Sequence, residues 1–184
     1  DAYAEGGNIE IFSNQVVTTG DASTGIEAYA AYYLDPVLLT YYSGDVYISA
    51  TSTTTFGDFS DGINAYAGGG DVLIRASLVR AYGLDADAIY AGTGGLDASN
   101  SDNVAVYTYN TIYSYDGVGI HVNSAGFSDI YIESGSVYGY DWGVQSYSAN
   151  GTYIYNDGAV YGGEGRAIDV DGASAYVRNT GDLY

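Results

Sequence analysis

One cycle of residues recurs along the whole chain. It runs apolar-x-apolar, a small or polar turn, Val/Ile-x-Ile, a short polar stretch, one apolar residue and glycine-rich letters. "INAYAGGGDVLIRASLVRAYG" from Ile63 and "IHVNSAGFSDIYIESGSVYGYDWG" from Ile120 show it side by side. The first strand of each cycle begins at Ile26, Ile63, Ile89, Ile120, Val144 and Ile168, and "DAYAEGG" at the head matches "NAYAGGG". The shortest steps are about 24 residues, a repeat length typical of stacked architectures. The second strand recurs as Ile9/Ile11, Val46/Ile48, Val72/Ile74, Val104/Val106, Ile130/Ile132, Thr152/Ile154 and Ala175/Val177. The third is shorter: Val16, Thr54, Leu78 or Val79, Ile112, Val137, Val160 and Leu183.

Apolar and polar letters alternate with period two, which specifies strands and not helices. Short strands at even spacing also suit a sandwich or barrel. Two features favour a parallel solenoid. The strand order is the same in every cycle, and the inward residue type is the same at each place in the cycle. Stacked at about 4.8 Å, such residues form aliphatic ladders. The expected fold is therefore all-β: a single-stranded parallel β-helix of about seven three-strand coils, one domain over residues 1–184. Two cycles carry extra residues at the first turn, 31–45 and 92–103. The first holds the only proline, Pro36, with Leu34, Val37, Leu38 and Leu39. It is read either as a loop folded over the side of the coil or as a binding protrusion. The opening and closing residues leave two readings: a slice of a longer rod, or copies that stack head to tail.

Composition narrows the function. Twenty-three acids face four basic residues, all arginine (Arg75, Arg80, Arg166, Arg178), for a net charge of -19. Such a chain repels nucleic acid and anionic membrane surfaces. An apolar fraction of 47% argues against disorder. With no cysteine, neither a disulfide nor a thiolate metal site is available, which suits an extracellular setting. No run approaches the ~20 apolar residues of a membrane span.

Catalytic signatures are sparse. His121, the only histidine, falls at an outward position with no serine or cysteine motif beside it. Asp169 and Asp171, with Asp141 one cycle earlier, offer carboxylates for glycoside hydrolysis, but solvated turn acids explain them more simply. Asp45, Asp71 and Asp129, with Asn8 and Asn103, recur just before the second strand. Turn capping accounts for them, and stacked carboxylates for calcium are the alternative. The glycine runs at 68–70 and 93–95 read as turns, since no helix follows them to cradle a phosphate.

The 23 tyrosines fall outside the inward set. Tyr3, Tyr29, Tyr66, Tyr90 and Tyr147 follow the inward positions of strand one. Tyr47 and Tyr131, with Tyr153 and Tyr176, lie between those of strand two. Tyr113, Tyr138, Tyr161 and Tyr184 close strand three. Rows of tyrosine on the outer surface either stabilise the coil by stacking or present an adhesive face. The candidate surface is Tyr29, Tyr66, Tyr90, Tyr47, Tyr131, Tyr153, Tyr113, Tyr138, Tyr161 and Trp142, the last in a turn without a repeated counterpart.

"DGINAYAGGGDVLIRA", "SGDVYISA" and "SGSVYGYDWGVQSY" resemble the repeats of bacterial autotransporter passenger domains, in which units like "GIxAxxxGGDVxIxxSGxVxTxG" recur. The resemblance spans essentially the whole chain. It implies a right-handed β-helix, in line with the right-handed rule for parallel crossovers, and export to the cell surface or medium. The expected role is non-enzymatic: an extracellular structural or adhesive rod, or a filament subunit, that associates with itself or with a cell-surface glycan. The alternatives are a glycan-binding or glycan-cleaving β-helix and a calcium-stabilised module. No cofactor other than calcium is indicated.

Overall fold

The computed structural model describes residues 1–37, 40–95 and 102–184. Among these residues every regular element is a strand. Seven of them, Ala2–Glu5, Ile26–Ala31, Ile63–Ala67, Ile89–Thr93, Ile120–Ser124, Val144–Ser148 and Ile168–Gly172, form one parallel sheet in chain order. Ile26, Ile63, Ile89, Ile120, Val144 and Ile168 stand on one another in register, as the sequence starts predict. The remaining strands of each cycle build a second parallel sheet. Its second-strand column is Ile9–Ser13, Val46–Thr55, Val72–Leu84, Val104–Thr108, Phe127–Ile132, Gly151–Asn156 and Ala175–Asn179. In Val46–Thr55 and Val72–Leu84 the second and third strands of a cycle are fused into one. Every third strand pairing in parallel gives a solenoid-like, all-β architecture.

Two of the rungs differ from the sequence reading. In the fifth cycle the register places Ser128 on Val104, Ile130 on Val106 and Ile132 on Thr108. The strand begins two residues earlier than its isoleucines suggest, because the Phe127 N–H docks on Asn103 Oδ1 at 2.9 Å. Likewise Thr53, not Thr54, stacks on Val16 and Val79. The interior accepts small hydroxyl side chains, so a search for apolar letters passes over buried Ser128, and in the run Thr53–Thr55 identical letters leave the inward position unmarked.

The core is a set of aliphatic ladders. Ile48, Ile63, Ile74, Ile89, Ile112, Ile120, Ile130, Ile132 and Ile154 are fully buried, each worth about 1.5–3 kcal/mol relative to exposure. The corners are held by a second kind of ladder. The Asp45 N–H donates to Asn8 Oδ1 (2.9 Å), the Asp71 N–H to Asp45 Oδ1 (3.0 Å) and the Asn103 N–H to Asp71 Oδ1 (2.7 Å). A second corner repeats this from Asp21 to Asp58 to Leu84. A third runs from Asp61 to Asp87 to Val118. The turn acids thus cap the backbone of the next repeat, where an unmet donor is costly. Asp129 does not join them: it sits inside its strand, beside Ala105 in register.

The insertion at 31–45 contains an antiparallel hairpin, Tyr33–Asp35 with Thr40–Tyr42. At its root the Tyr32 hydroxyl donates to the Gly94 carbonyl. The Tyr32 ring lies over the glycine run at 68–70, where a Cβ on Gly69 would come within 2.4 Å of it. These glycines, expected as plain turns, make room for an aromatic ring. The hairpin root follows the side of the sheet, while Val37 stands 85% exposed. Leu38 and Leu39, and residues 96–101 of the second insertion, lie outside the described residues.

Thr108 tests the interior directly. It is fully buried, and its Oγ1 has no hydrogen-bond partner. Thr108→Val keeps the shape and removes the orphaned hydroxyl. It is expected to raise the unfolding free energy by about 1 kcal/mol in urea titration; a loss of stability would contradict this placement.

Candidate functional site: the outer tyrosine rows

Parallel pairing puts outward residues of successive repeats on one another. On the first sheet Tyr3, Tyr29 and Tyr66 share one register position. Tyr3 and Tyr29 stack at 5.8 Å between ring centroids with planes 2° apart, and Tyr29 and Tyr66 at 5.1 Å and 13°. The row then passes through Gly92, where a Cβ would lie 3.1 Å from the Tyr66 ring. Tyr90, expected in this row, belongs to the neighbouring one, between Asn64 and His121. It meets the His121 ring edge-on at 5.1 Å.

On the second sheet the strand-three row is as predicted. Tyr113 and Tyr138 stack at 5.1 Å and 14°, and Tyr161 and Tyr184 at 4.6 Å and 4°. Tyr138 and Tyr161 are register partners. The strand-two tyrosines divide into two rows, a consequence of the two-residue slip in the fifth cycle. Tyr47 and Tyr153 occupy the first outward position, and Tyr153 stacks on Tyr176 at 5.0 Å. Tyr131 occupies the second and lies flat on Tyr107 at 4.6 Å with planes 2° apart. The sequence pattern does not single out Tyr107; the signal for it is its place three residues after Val104, once Ile130 is aligned with Val106. Trp142 is half-buried in its turn, beside Gly165 of the next repeat. Neighbouring Tyr140 donates its hydroxyl to Glu164 Oε1 at 2.6 Å.

Burial is the main cause that raises the phenol pKa of Tyr66, Tyr90, Tyr113 and Tyr131; neighbouring tyrosines add to it for Tyr66, Tyr113 and Tyr131, and nearby aspartates for Tyr90 and Tyr131, while a hydrogen bond with Asn123 opposes it at Tyr90. These four phenols are therefore held neutral. Two of the four arginines lie over rings in the same rows, Arg75 over Tyr107 and Arg178 over Tyr155. Arg166 pairs with Asp169 at 2.7 Å, so that acid is not a free member of a carboxylate pair.

The first outward row of strand two narrows in the middle. It runs Tyr47, Leu73, Ala105 and Asp129. The small side chains leave a trough of about 410 Å³ between the corner acids Asp45 and Asp71 and the Tyr107 ring.

A third feature escaped the sequence. His121 is no isolated surface histidine: its Nδ1 lies 2.9 Å from Asp87 Oδ2. Asp87 in turn stands on Asp61, which accepts from the Asp87 N–H and from Asn64 Nδ2. Residues 61, 87 and 121 lie far apart in sequence, and only the register brings them together. Among the described residues no group of three or more His, Cys, Asp or Glu side chains is arranged to hold a metal ion.

Comparison with known proteins finds no matching family model, curated protein or solved structure.

Burial, and then the Asp87 charge, raise the Asp61 pKa from 3.8 to about 6, against the lowering effect of its hydrogen bonds and of His121. The folded chain therefore holds this proton more tightly than the unfolded chain. The resulting stability is complete below the unfolded pKa of 3.8 and is lost as pH rises through about 6. Asp61→Asn keeps an oxygen for the Asp87 N–H and removes the buried charge. It is expected to stabilise the fold near neutral pH by roughly 2 kcal/mol and to flatten the pH dependence of the melting temperature between these two values. Unchanged pH dependence in the variant would show that Asp61 is not the group responsible.

Proposed function

We propose that the chain is a right-handed parallel β-helix of seven coils that serves outside the cell as a non-enzymatic structural and adhesive rod, of the autotransporter-passenger kind. The observation that carries this reading is the set of stacked tyrosine rows on the outer surface of both sheets. A stiff, flat aromatic with a polar tip suits lateral contact with sugars or with other tyrosine-rich surfaces. Right-handedness follows from the strong rule for parallel crossovers. The repeat sequences that resemble passenger domains support export, as does a chain without thiols.

The rod reading extends to its ends. Ala2, Ala4, Ile11 and Val16 are only partly buried at one end, and Val177 and Leu183 are each 44% exposed at the other. One further repeat in the same register would set Ile11 on Val177 and Val16 on Leu183. A second copy of the chain provides those rungs as well as an adjoining stretch would. Purified protein is therefore expected to lengthen into rods with rising concentration, seen by light scattering and negative-stain microscopy. Val177→Glu with Leu183→Glu is expected to hold it at the length of one copy. Discrete single copies of the unaltered chain at high concentration would contradict head-to-tail association.

The trough between the corner acids and Tyr107 favours a second reading, a glycan-binding face. It predicts that an oligosaccharide binds the chain and that Tyr107→Ala weakens binding at least tenfold, about 1.4 kcal/mol. The Asp45 and Asp71 Oδ1 atoms along its edge already accept backbone N–H groups, which suits holding a sugar better than cleaving one.

A further inference from the structure

We infer that the flat tyrosine pairs are sites of oxidative cross-linking, with Tyr107–Tyr131 foremost, so that adjacent repeats become joined by a carbon–carbon bond between rings.

Composition sets the chemistry. Cysteine and methionine, the side chains oxidants usually reach first, number zero. An oxidant that meets this surface finds 23 tyrosines, one tryptophan and one histidine. Geometry then selects among the tyrosines. Tyr107 and Tyr131 lie with centroids 4.6 Å apart and planes 2° from parallel, and Tyr161 and Tyr184 at 4.6 Å and 4°. Nearly parallel rings at this separation hold the two phenols of a pair side by side, ready to couple. Arg75 covers the Tyr107 ring from the preceding repeat, which leaves Tyr131 as its aromatic partner. Tyr131 also touches Tyr153 and Tyr155, but at 5.9 and 6.4 Å and tilted by 43° and 39°, a poorer approach. The pairs are only partly covered, so a small oxidant reaches them.

The step balances with hydrogen peroxide as oxidant and a peroxidase to activate it. Each phenol loses one electron and its hydroxyl proton. The two phenoxyl radicals join at the carbons next to oxygen, and each ring then returns that carbon's hydrogen to its own oxygen. Two electrons and two protons leave in all, and they convert one peroxide to two waters. The product is a biphenol that closes the stretch from residue 107 to 131. In a chain without disulfides this bond supplies the covalent link between repeats. Like any such link, it restricts the unfolded chain.

The test oxidises dilute protein with a peroxidase and hydrogen peroxide, then digests it with an endoproteinase that cleaves after Asp and Glu. Cuts at Asp116 and Asp129 separate Tyr107 from Tyr131, so a linked pair appears in mass spectrometry as two joined peptides short of two hydrogens. The Tyr107–Tyr131 link is expected to exceed links between unstacked tyrosines several-fold within single chains, and to raise the urea midpoint. Tyr131→Phe keeps the ring and the fold, checked by circular dichroism. It is expected to abolish that link and its midpoint shift while Tyr161–Tyr184 still joins. Links spread without regard to stacking, links only between separate molecules, or oxidation confined to Trp142 would each overturn the proposal.

Discussion

Parallel pairing at a spacing of about 4.8 Å sets every side chain directly over its counterpart in the next repeat. All the choices in this sequence answer to that constraint. Inside, like on like is favourable: the Ile63, Ile89 and Ile120 side chains stack without change of shape. Outside, like on like is a hazard, because a charged side chain would meet its own kind up the ladder. Tyrosine avoids this. Its phenol is neutral, its hydroxyl satisfies water, and each stacked pair adds about 0.5–1.5 kcal/mol beyond burial.

Several of the acids stand at the corners instead, while Glu10, Glu27, Asp129, Asp169 and Asp171 stay within strands. Asp45 stands next to Asp71 and Asp61 next to Asp87, like charges one repeat apart. Each carboxylate accepts a backbone N–H from the following repeat, a charge-assisted bond that offsets the repulsion. Where burial adds to the repulsion, the offset is incomplete, and the pKa of Asp61 rises to about 6. The net charge of -19 and the neutral aromatic faces are thus two consequences of one geometry. They leave a solenoid-like coil whose aromatic rows run along the sheets and whose corner acids cap the next repeat.

Much of this was legible because the ladder repeats. The strand-one starts and the strand-three pairs Ile112-Tyr113, Val137-Tyr138 and Val160-Tyr161 recur as letters, and the register follows them. Legibility failed where the interior departs from aliphatic residues. Ser128 fills a rung that Val104 fills one repeat earlier, so apolar letters alone put the fifth cycle two residues out of step and Tyr131 in the wrong row. Tyr90 misleads for a related reason: Gly92, not a tyrosine, continues the Tyr66 row. The His121–Asp87–Asp61 contacts carry no motif at all, since their spacing follows from turn lengths that differ between repeats. The glycine clearance under Tyr32 depends on an insertion whose path no periodicity describes.

Because the chain has no cysteine, introduced pairs read the register without background. Asn123 and Tyr147 are register partners on the outer face of the first sheet, while Asn123 and Gln145 are offset by two residues. Only the first pair meets the Cα separation a disulfide needs, below about 7 Å. Under mild oxidation, Asn123→Cys with Tyr147→Cys should close a disulfide nearly completely, and Asn123→Cys with Gln145→Cys should stay reduced. Equal closure of both pairs, or preference for the offset one, would contradict the ladder on which the tyrosine rows, the corner caps and the core all rest.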